Sequence, residues 1–80
     1  MPNSLSGKKL DTMTLAAASV GQEFLGEIHV TQTRFRRELK KWLAVMERGT
    51  VVIVTRRGEP VVVAIAAWLY EAVEKLSARA

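Results

Sequence analysis

The strongest constraint on the fold is a pair of β-branched runs that flank a short polar segment. Residues 50–54 are T-V-V-I-V, residues 61–65 are V-V-V-A-I, and T-R-R-G-E-P lies between them. Runs rich in valine and isoleucine favour strands, and Gly58 can adopt the positive φ that a tight hairpin turn requires. Pro60 has no N–H to donate, so it can open a strand but would weaken the middle of one. The pattern predicts a β-hairpin with two arginines at its tip.

A helix is predicted immediately before this hairpin, over residues 32–48. Thr31 offers a hydroxyl cap at its start, and Gly49 fits the position just beyond its end. Between them, apolar side chains recur at spacings of three and four, which places them on one helical face. That face carries Phe35, Leu39, Trp42, Leu43 and Met46. We expect Trp42 on this face to lie in the core; the alternative is a platform on which bases stack.

Shorter patterns complete the chain. Residues 28–30 are I-H-V, a short strand, and residues 66–80 indicate a closing helix with one apolar face. Residues 1–26 are weakly periodic and interrupted by glycine, so we predict a loosely ordered extension there. Residues 27–80 are then one α+β domain with the element order β-α-β-β-α. The apolar face of the closing helix carries Leu69, Val73 and Leu76.

Oligomerisation is suggested by the strand runs. They are apolar at consecutive positions, so both of their faces need cover. A chain of 80 residues buries only about 60% of the surface that its unfolded form exposes, which leaves little material for a second layer. The sequence therefore favours a homodimer.

Composition argues against several kinds of site. The chain has no cysteine and one histidine, His29, so we expect no metal site and treat His29 as a structural strand residue. The sequence offers no histidine-paired nucleophile, close carboxylate pair or glycine-rich phosphate loop, so we expect neither catalysis nor a cofactor. No apolar run approaches the ~20 residues that span a bilayer. Lysines precede an apolar patch in residues 8–21, but Asp11 interrupts it, which disfavours a signal peptide. We expect a cytoplasmic protein that does not bind membranes.

Positive charge is concentrated in one window. The whole chain has a formal net charge of +4, yet residues 34–57 contain eight lysines and arginines against two glutamates, a net of +6. Arg34, Arg36 and Arg37 lie near the start of the predicted helix, where the helix dipole disfavours cations. This cost suggests that they are retained for an anionic partner such as DNA phosphates. The alternative is a solvated helix face.

The same segments resemble the Phd/YefM family of type II antitoxins. Residues 30–39 match V-[ST]-x-[ST]-x-x-R-x-x-L, and a glycine closes the helix that follows. Residues 51–60 match V-x-I-[TV] followed by T-R-R-G-x-P, and residues 70–72 are Y-E-A at the start of the last helix. Order and spacing agree over about residues 28–76.

The resemblance implies a β-α-β-β-α subunit that dimerises through its first helix and a shared antiparallel sheet. It further implies a regulator that binds a palindromic operator, represses its own toxin–antitoxin operon and neutralises a toxin; higher-order assembly on DNA is left open. Arg36, Arg56 and Arg57 occupy positions that contribute to operator contact in the family. Arg34 and Arg37 are added as DNA-binding candidates from charge placement alone.

Some features depart from the family pattern. Arg34 stands where the family often has the glutamate of a capping box, and the last helix opens with the apolar residues A-A-W-L. Trp68 either faces outward, to contact a toxin or a second dimer together with Tyr70, or faces inward and seals the core. Family members usually continue into an acidic tail that folds onto the toxin, whereas this sequence ends at Ala80. Either the sequence is truncated before such a tail or the protein has no conventional neutralising tail. The alternatives are therefore a stand-alone repressor, phage-borne for example, and a protein-interaction module that acts through the last helix.

Overall fold

Four helices and a three-stranded sheet form residues 7–78, the part of the chain that the computed structural model describes. The α+β class expected from the sequence is confirmed. The expected order of strands and helices also holds from residue 27 onward, except that the first predicted helix is divided in two. The elements are α1 (Gly7–Ser19), β1 (Glu27–Thr31), α2 (Gln32–Arg37), α3 (Leu39–Glu47), β2 (Val51–Arg56), β3 (Glu59–Ala64) and α4 (Ala67–Ala78).

The sheet is mixed, with β2 between β1 and β3. β2 and β3 form the expected antiparallel hairpin, but β1 runs parallel to β2, with Glu27 opposite Val51 and Thr31 opposite Thr55. The expectation of an antiparallel sheet is therefore wrong for this pair within the subunit. The reason is the connection: α2 and α3 together form a crossover long enough to return the chain to the same end of the sheet.

Helices cover both faces of β2. Side chains alternate along a strand, so Val51 and Ile53 pack beneath α1 and α4, while Val52 and Val54 pack beneath α2 and α3. All four are buried. One chain thus covers both faces of its central strand, and the expectation that this cover needs a second subunit is wrong for β2.

Helix α1 replaces the loosely ordered segment that the sequence predicts over residues 7–19. Ala16 and Ala17 are fully buried in the cluster that also contains Leu69 and Ala72 of α4. The sequence pattern misses this helix because its buried positions are mostly alanines, which contribute little to hydrophobic periodicity but allow two helices to approach closely. Residues 1–6, which belong to the same predicted extension, lie outside the described residues.

The helix predicted over residues 32–48 breaks at Glu38, whose φ and ψ are −114° and 35°. The break disrupts the apolar face expected from a continuous helix. Trp42 is buried as expected, and Met46 is buried beside it, but Leu39 and Leu43 are 44% and 47% exposed.

Both predicted ends of this helical region are confirmed. Thr31 Oγ1 accepts a hydrogen bond from the Arg34 N–H at 3.2 Å, which is the capping contact expected at the start of α2. Gly49 has a φ of +117°, and its N–H donates to the Met46 carbonyl at 3.0 Å. The positive φ explains why glycine stands just beyond α3.

β3 is an edge strand within the described residues, because it pairs only with β2. The side chains of residues 61–63 are between 44% and 50% exposed. Pro60 lies beside an irregularity in register between Val54 and Thr55, a place where a residue without an N–H is tolerated. β3 therefore has half-exposed valines and, within the described residues, no strand paired to its outer edge.

The closing helix is confirmed as α4. Leu69 is fully buried, and Val73 and Leu76 pack against the same cluster. Neither α4 nor any other helix within residues 7–78 has the length and apolar character needed to cross a membrane.

Candidate nucleic-acid interface

The parallel pairing of β1 and β2 brings the two arginine-bearing segments to the same end of the sheet. Thr31 is the last residue of β1 and lies opposite Thr55, the residue before Arg56. Because α2 begins directly after Thr31, its first turn lies next to the strand that leads into the hairpin tip. α2 contacts both strands, and Thr55 Oγ1 donates to the Val30 carbonyl at 3.4 Å.

The hairpin tip consists of a two-residue loop. Arg56 lies opposite Glu59, and Arg57 and Gly58 connect them. Arg57 has a φ of +55° and Gly58 a φ of +82°, as a type I′ turn requires. A left-handed backbone is unfavourable for a residue with a Cβ unless it is Asn or Asp, so Arg57 is held in a strained conformation at an exposed tip.

Helix α2 contributes two exposed arginines, Arg36 and Arg37, to this end of the molecule. Because the helical region breaks at Glu38, both lie with Arg34 in the last turn of α2, and the C-terminal end of a helix favours cations. The expectation that the helix dipole opposes these arginines is therefore wrong. Arg36 and Arg37 line a shallow depression together with Thr33. Within residues 7–78 neither side chain forms an ion pair with a carboxylate, in contrast to Arg34. Exposed guanidinium groups of this kind can donate to phosphate oxygens or to the acceptor edge of a guanine.

Arg34 is engaged with groups of its own subunit. Its Nε donates to Glu38 Oε1 at 3.0 Å, and its guanidinium carbon lies 5.5 Å from the centre of the Trp42 ring. The amine of Lys41 lies 4.8 Å from the centre of the same ring. Both cations are within the range of a cation–π contact, so Trp42 supports two positive groups from a buried position.

Glu38 introduces a negative charge into this basic region. The hydrogen bond from Arg34 lowers the pKa of its carboxyl below the ordinary value, and the positive charges of Arg34, Lys41 and Arg37 act in the same direction. The carboxylate therefore remains ionised at neutral pH. The role of Glu38 was not inferred from the sequence, although an arginine and a glutamate four residues apart on a helix are a recognisable pairing signal.

Trp42 was expected in the core and is found there. Its indole packs with Val30, Val52, Val54 and Met46, so it is not available as a platform for bases. Its Nε1 is buried, and no hydrogen-bond acceptor for it lies within the described residues.

The two candidate partner-binding residues on α4 have different environments. Trp68 is partly buried, and its Nε1 donates to the Glu47 carbonyl at 3.0 Å; of the two orientations considered, this is the inward one. Tyr70 is 54% exposed. It borders an apolar groove with Met13 of α1 and Val63 of β3.

Catalytic and metal-binding arrangements were not expected from the sequence. His29 Nε2 lies 3.9 Å from Glu27 Oε2 on the exposed strand β1. Over residues 7–78 the structure contains no group of three or more histidine, aspartate or glutamate side chains that could hold a metal ion.

Comparisons with known proteins found no match to any family model, curated protein or solved structure.

Proposed function

We propose that this protein is a DNA-binding regulator that uses the arginines of α2 and the β2–β3 tip as one surface. The observation that carries the proposal is the parallel register of Thr31 with Thr55, which brings two arginine segments distant in sequence to one end of the sheet. A surface made of exposed arginines neutralises phosphates and provides salt-dependent affinity for a duplex.

The strained backbone of Arg57 supports the same proposal. A type I′ turn favours Asn or Gly at this position, whereas the chain has arginine with a φ of +55°. Strain retained at an exposed tip is typical of a functional residue. A contact between the Arg57 side chain and DNA explains why arginine occupies this position of the turn despite its strained backbone.

More specifically, we propose that the protein is an antitoxin-type repressor that binds a palindromic operator as a homodimer. The exposed edge of β3 supports a dimer, because an apolar strand edge without cover promotes pairing with another chain. Two-fold symmetry would present the arginine surface twice, as two half-sites require. This more specific proposal includes repression of the protein's own toxin–antitoxin operon and neutralisation of the toxin.

Gel-shift titrations over a range of salt concentrations test the proposal. The probe is the region upstream of the protein's own gene. Arg36→Ala and Arg56→Ala should each weaken binding and reduce the salt dependence by about one phosphate contact per subunit. Arg48→Ala is the matched control, because Arg48 follows α3 and precedes β2, away from the hairpin tip. Binding that ignores salt, or equal losses in all three variants, would contradict the proposal.

A second candidate function is protein binding through the groove beside Tyr70. The groove is largely apolar, and Tyr70 is exposed at its margin, which is typical of protein contact sites. Co-expression with the neighbouring gene product, followed by co-purification, tests this function. Tyr70→Ala should weaken the complex without changing duplex binding, and failure to form any complex would remove toxin neutralisation from the proposal.

A further inference from the structure

Arg34 differs from the other arginines of the surface because its side chain is held by its own subunit. Its Nε donates to Glu38 Oε1 at 3.0 Å, and its guanidinium lies over the Trp42 ring. Its backbone N–H is fixed by Thr31 Oγ1. These contacts join the start of α2, the break at Glu38 and the first turns of α3.

The group that holds Arg34 has the chemistry of a phosphate oxygen. A carboxylate and a phosphate both accept charge-assisted hydrogen bonds from a guanidinium, so they compete for the same donor. Both side chains of the Arg34–Glu38 pair are partly accessible to solvent, at 50% and 32%. A solvent-accessible pair is weak enough to be exchanged for another anion.

The electrostatic surroundings keep this competitor charged. Arg34, Arg37 and Lys41 all favour the ionised form of Glu38, and its pKa is lowered accordingly. In the sequence, Glu38 is the one acidic residue between Arg34 and Lys41. It is therefore placed where it reduces the positive potential of the α2 segment most directly.

We propose that Glu38 is an internal counter-anion that holds Arg34 out of contact with DNA and thereby limits the affinity of the surface. Glu38 acts through Arg34, so it is a positioning residue. This inference rests on the proposed function. It assigns to Arg34 a role different from that of Arg36, Arg56 and Arg57, which are free to reach phosphates without first leaving a carboxylate.

The test compares two glutamate variants with a mixed-sequence duplex, because the phosphate contribution does not depend on base sequence. Glu38→Gln retains an acceptor oxygen for Arg34 and removes the charge. Glu47→Gln makes the same charge change at the other end of α3, and the contact of Trp68 there uses the backbone carbonyl of Glu47. We expect Glu38→Gln to bind about fivefold more tightly near 0.1 M salt, with a slope of log affinity against log salt steeper by about one per subunit. Glu47→Gln should leave the slope unchanged.

A double variant separates the role of Glu38 from a general charge effect. Arg34→Ala in the Glu38→Gln background should remove both the added affinity and the added slope. Thermal unfolding of each variant shows whether the fold is retained. A purely structural role for the Arg34–Glu38 pair would change the melting temperature but not the salt slope.

The experiments distinguish failure of this inference from failure of the proposed function. If Glu38→Gln behaves as Glu47→Gln does, or if its gain survives Arg34→Ala, the inference is wrong while the proposed function stands. If the unmodified protein binds the duplex without salt dependence and Arg36→Ala has no effect, the proposed function fails and the inference fails with it.

Discussion

Thr31 and Thr55 lie opposite each other in the parallel strand pair β1–β2. Each is followed by a basic segment: α2 follows Thr31, and the hairpin tip follows Thr55. A parallel pair delivers both of its following segments to one end of the sheet, whereas an antiparallel pair would send them to opposite ends. This relationship turns two separate charge clusters into one candidate surface.

Arg57→Asn is expected to stabilise the protein while weakening duplex binding. Asn adopts a left-handed backbone more readily than Arg, and relief of this strain corresponds to about 1 kcal/mol in the free energy of unfolding. Urea unfolding and gel shifts measure the two effects. Arg56→Asn is the control: Arg56 lies in β2, where Asn is disfavoured, so only Arg57→Asn should combine higher stability with lower affinity. A stability loss in Arg57→Asn would contradict this account of the turn.

Ala17→Leu is expected to destabilise the fold by about 1–3 kcal/mol, because added methyl groups overfill a packed core. Ala17 is fully buried in the cluster with Val51 and Ile53. Ala18→Leu is the matched control, since Ala18 is the next residue of α1 and is exposed; its effect should stay within about 0.5 kcal/mol. Equal urea midpoints for the two variants would show that α1 does not pack in this way.

Gly49→Ala is expected to lower the free energy of unfolding by at least about 2 kcal/mol. The φ of Gly49 is +117°, and a Cβ there would overlap the Glu23 carbonyl oxygen. Gly21 is the control, because its φ is also positive, at +74°, but a Cβ would meet no atom within 4 Å. Gly21→Ala should cost about 1 kcal/mol, and a smaller loss for Gly49→Ala than for Gly21→Ala would be inconsistent with the close approach.

Val62→Lys is expected to weaken self-association, because a charged side chain on an edge strand opposes pairing with another chain. Val62 is half exposed on β3. Ile28→Lys introduces the same charge at β1, where Ile28 is 38% exposed, and should leave association unchanged. Sedimentation velocity over a concentration range measures both. A monomeric unmodified protein, or a stronger effect of Ile28→Lys, would exclude dimerisation through β3.

The Arg34–Glu38 pair is expected to make stability depend on pH in the acidic range. The folded-state pKa of Glu38 is lowered from the ordinary value of 4.5, first by the hydrogen bond from Arg34. A lowered carboxyl pKa adds stability above the unfolded-state pKa, and this contribution is lost as pH falls through the folded-state pKa. The difference in unfolding free energy between the unmodified protein and Glu38→Gln should therefore shrink on acidification below about pH 4.5. In an Arg34→Ala background the pH-dependent part of that difference should become smaller, because only the weaker effects of Lys41 and Arg37 remain.

Periodic patterns predict the elements that depend on local chemistry. Thr31 and Gly49 act at the two ends of the predicted helical region because capping and positive φ are properties of individual residues. The hairpin follows from the β-branched runs and Gly58 for the same reason. The break at Glu38 and the exposure of Leu39 and Leu43 were not predicted, because an apolar repeat fits a continuous helix equally well.

The candidate site also combines features that the sequence predicts with features that only the structure shows. Its arginines are visible in the sequence as a charge window, and Arg56 and Arg57 are predictable at a hairpin tip. The contacts of Arg34 with Glu38 and Trp42 depend on how the chain passes from α2 into α3, which only the structure shows. The inward orientation of Trp68 could not be predicted, because it depends on how closely α4 approaches the end of α3.

The sequence by itself determined the strand runs, the turn, the helix ends and the concentration of positive charge, because each depends on residues close together in the chain. Only the tertiary structure decided that β1 runs parallel to β2, that α1 covers the sheet through buried alanines, and that one chain encloses its central strand. Those outcomes depend on which distant surfaces pack together. The apolar runs show that both faces of the central strand must be buried but do not specify the partners that bury them.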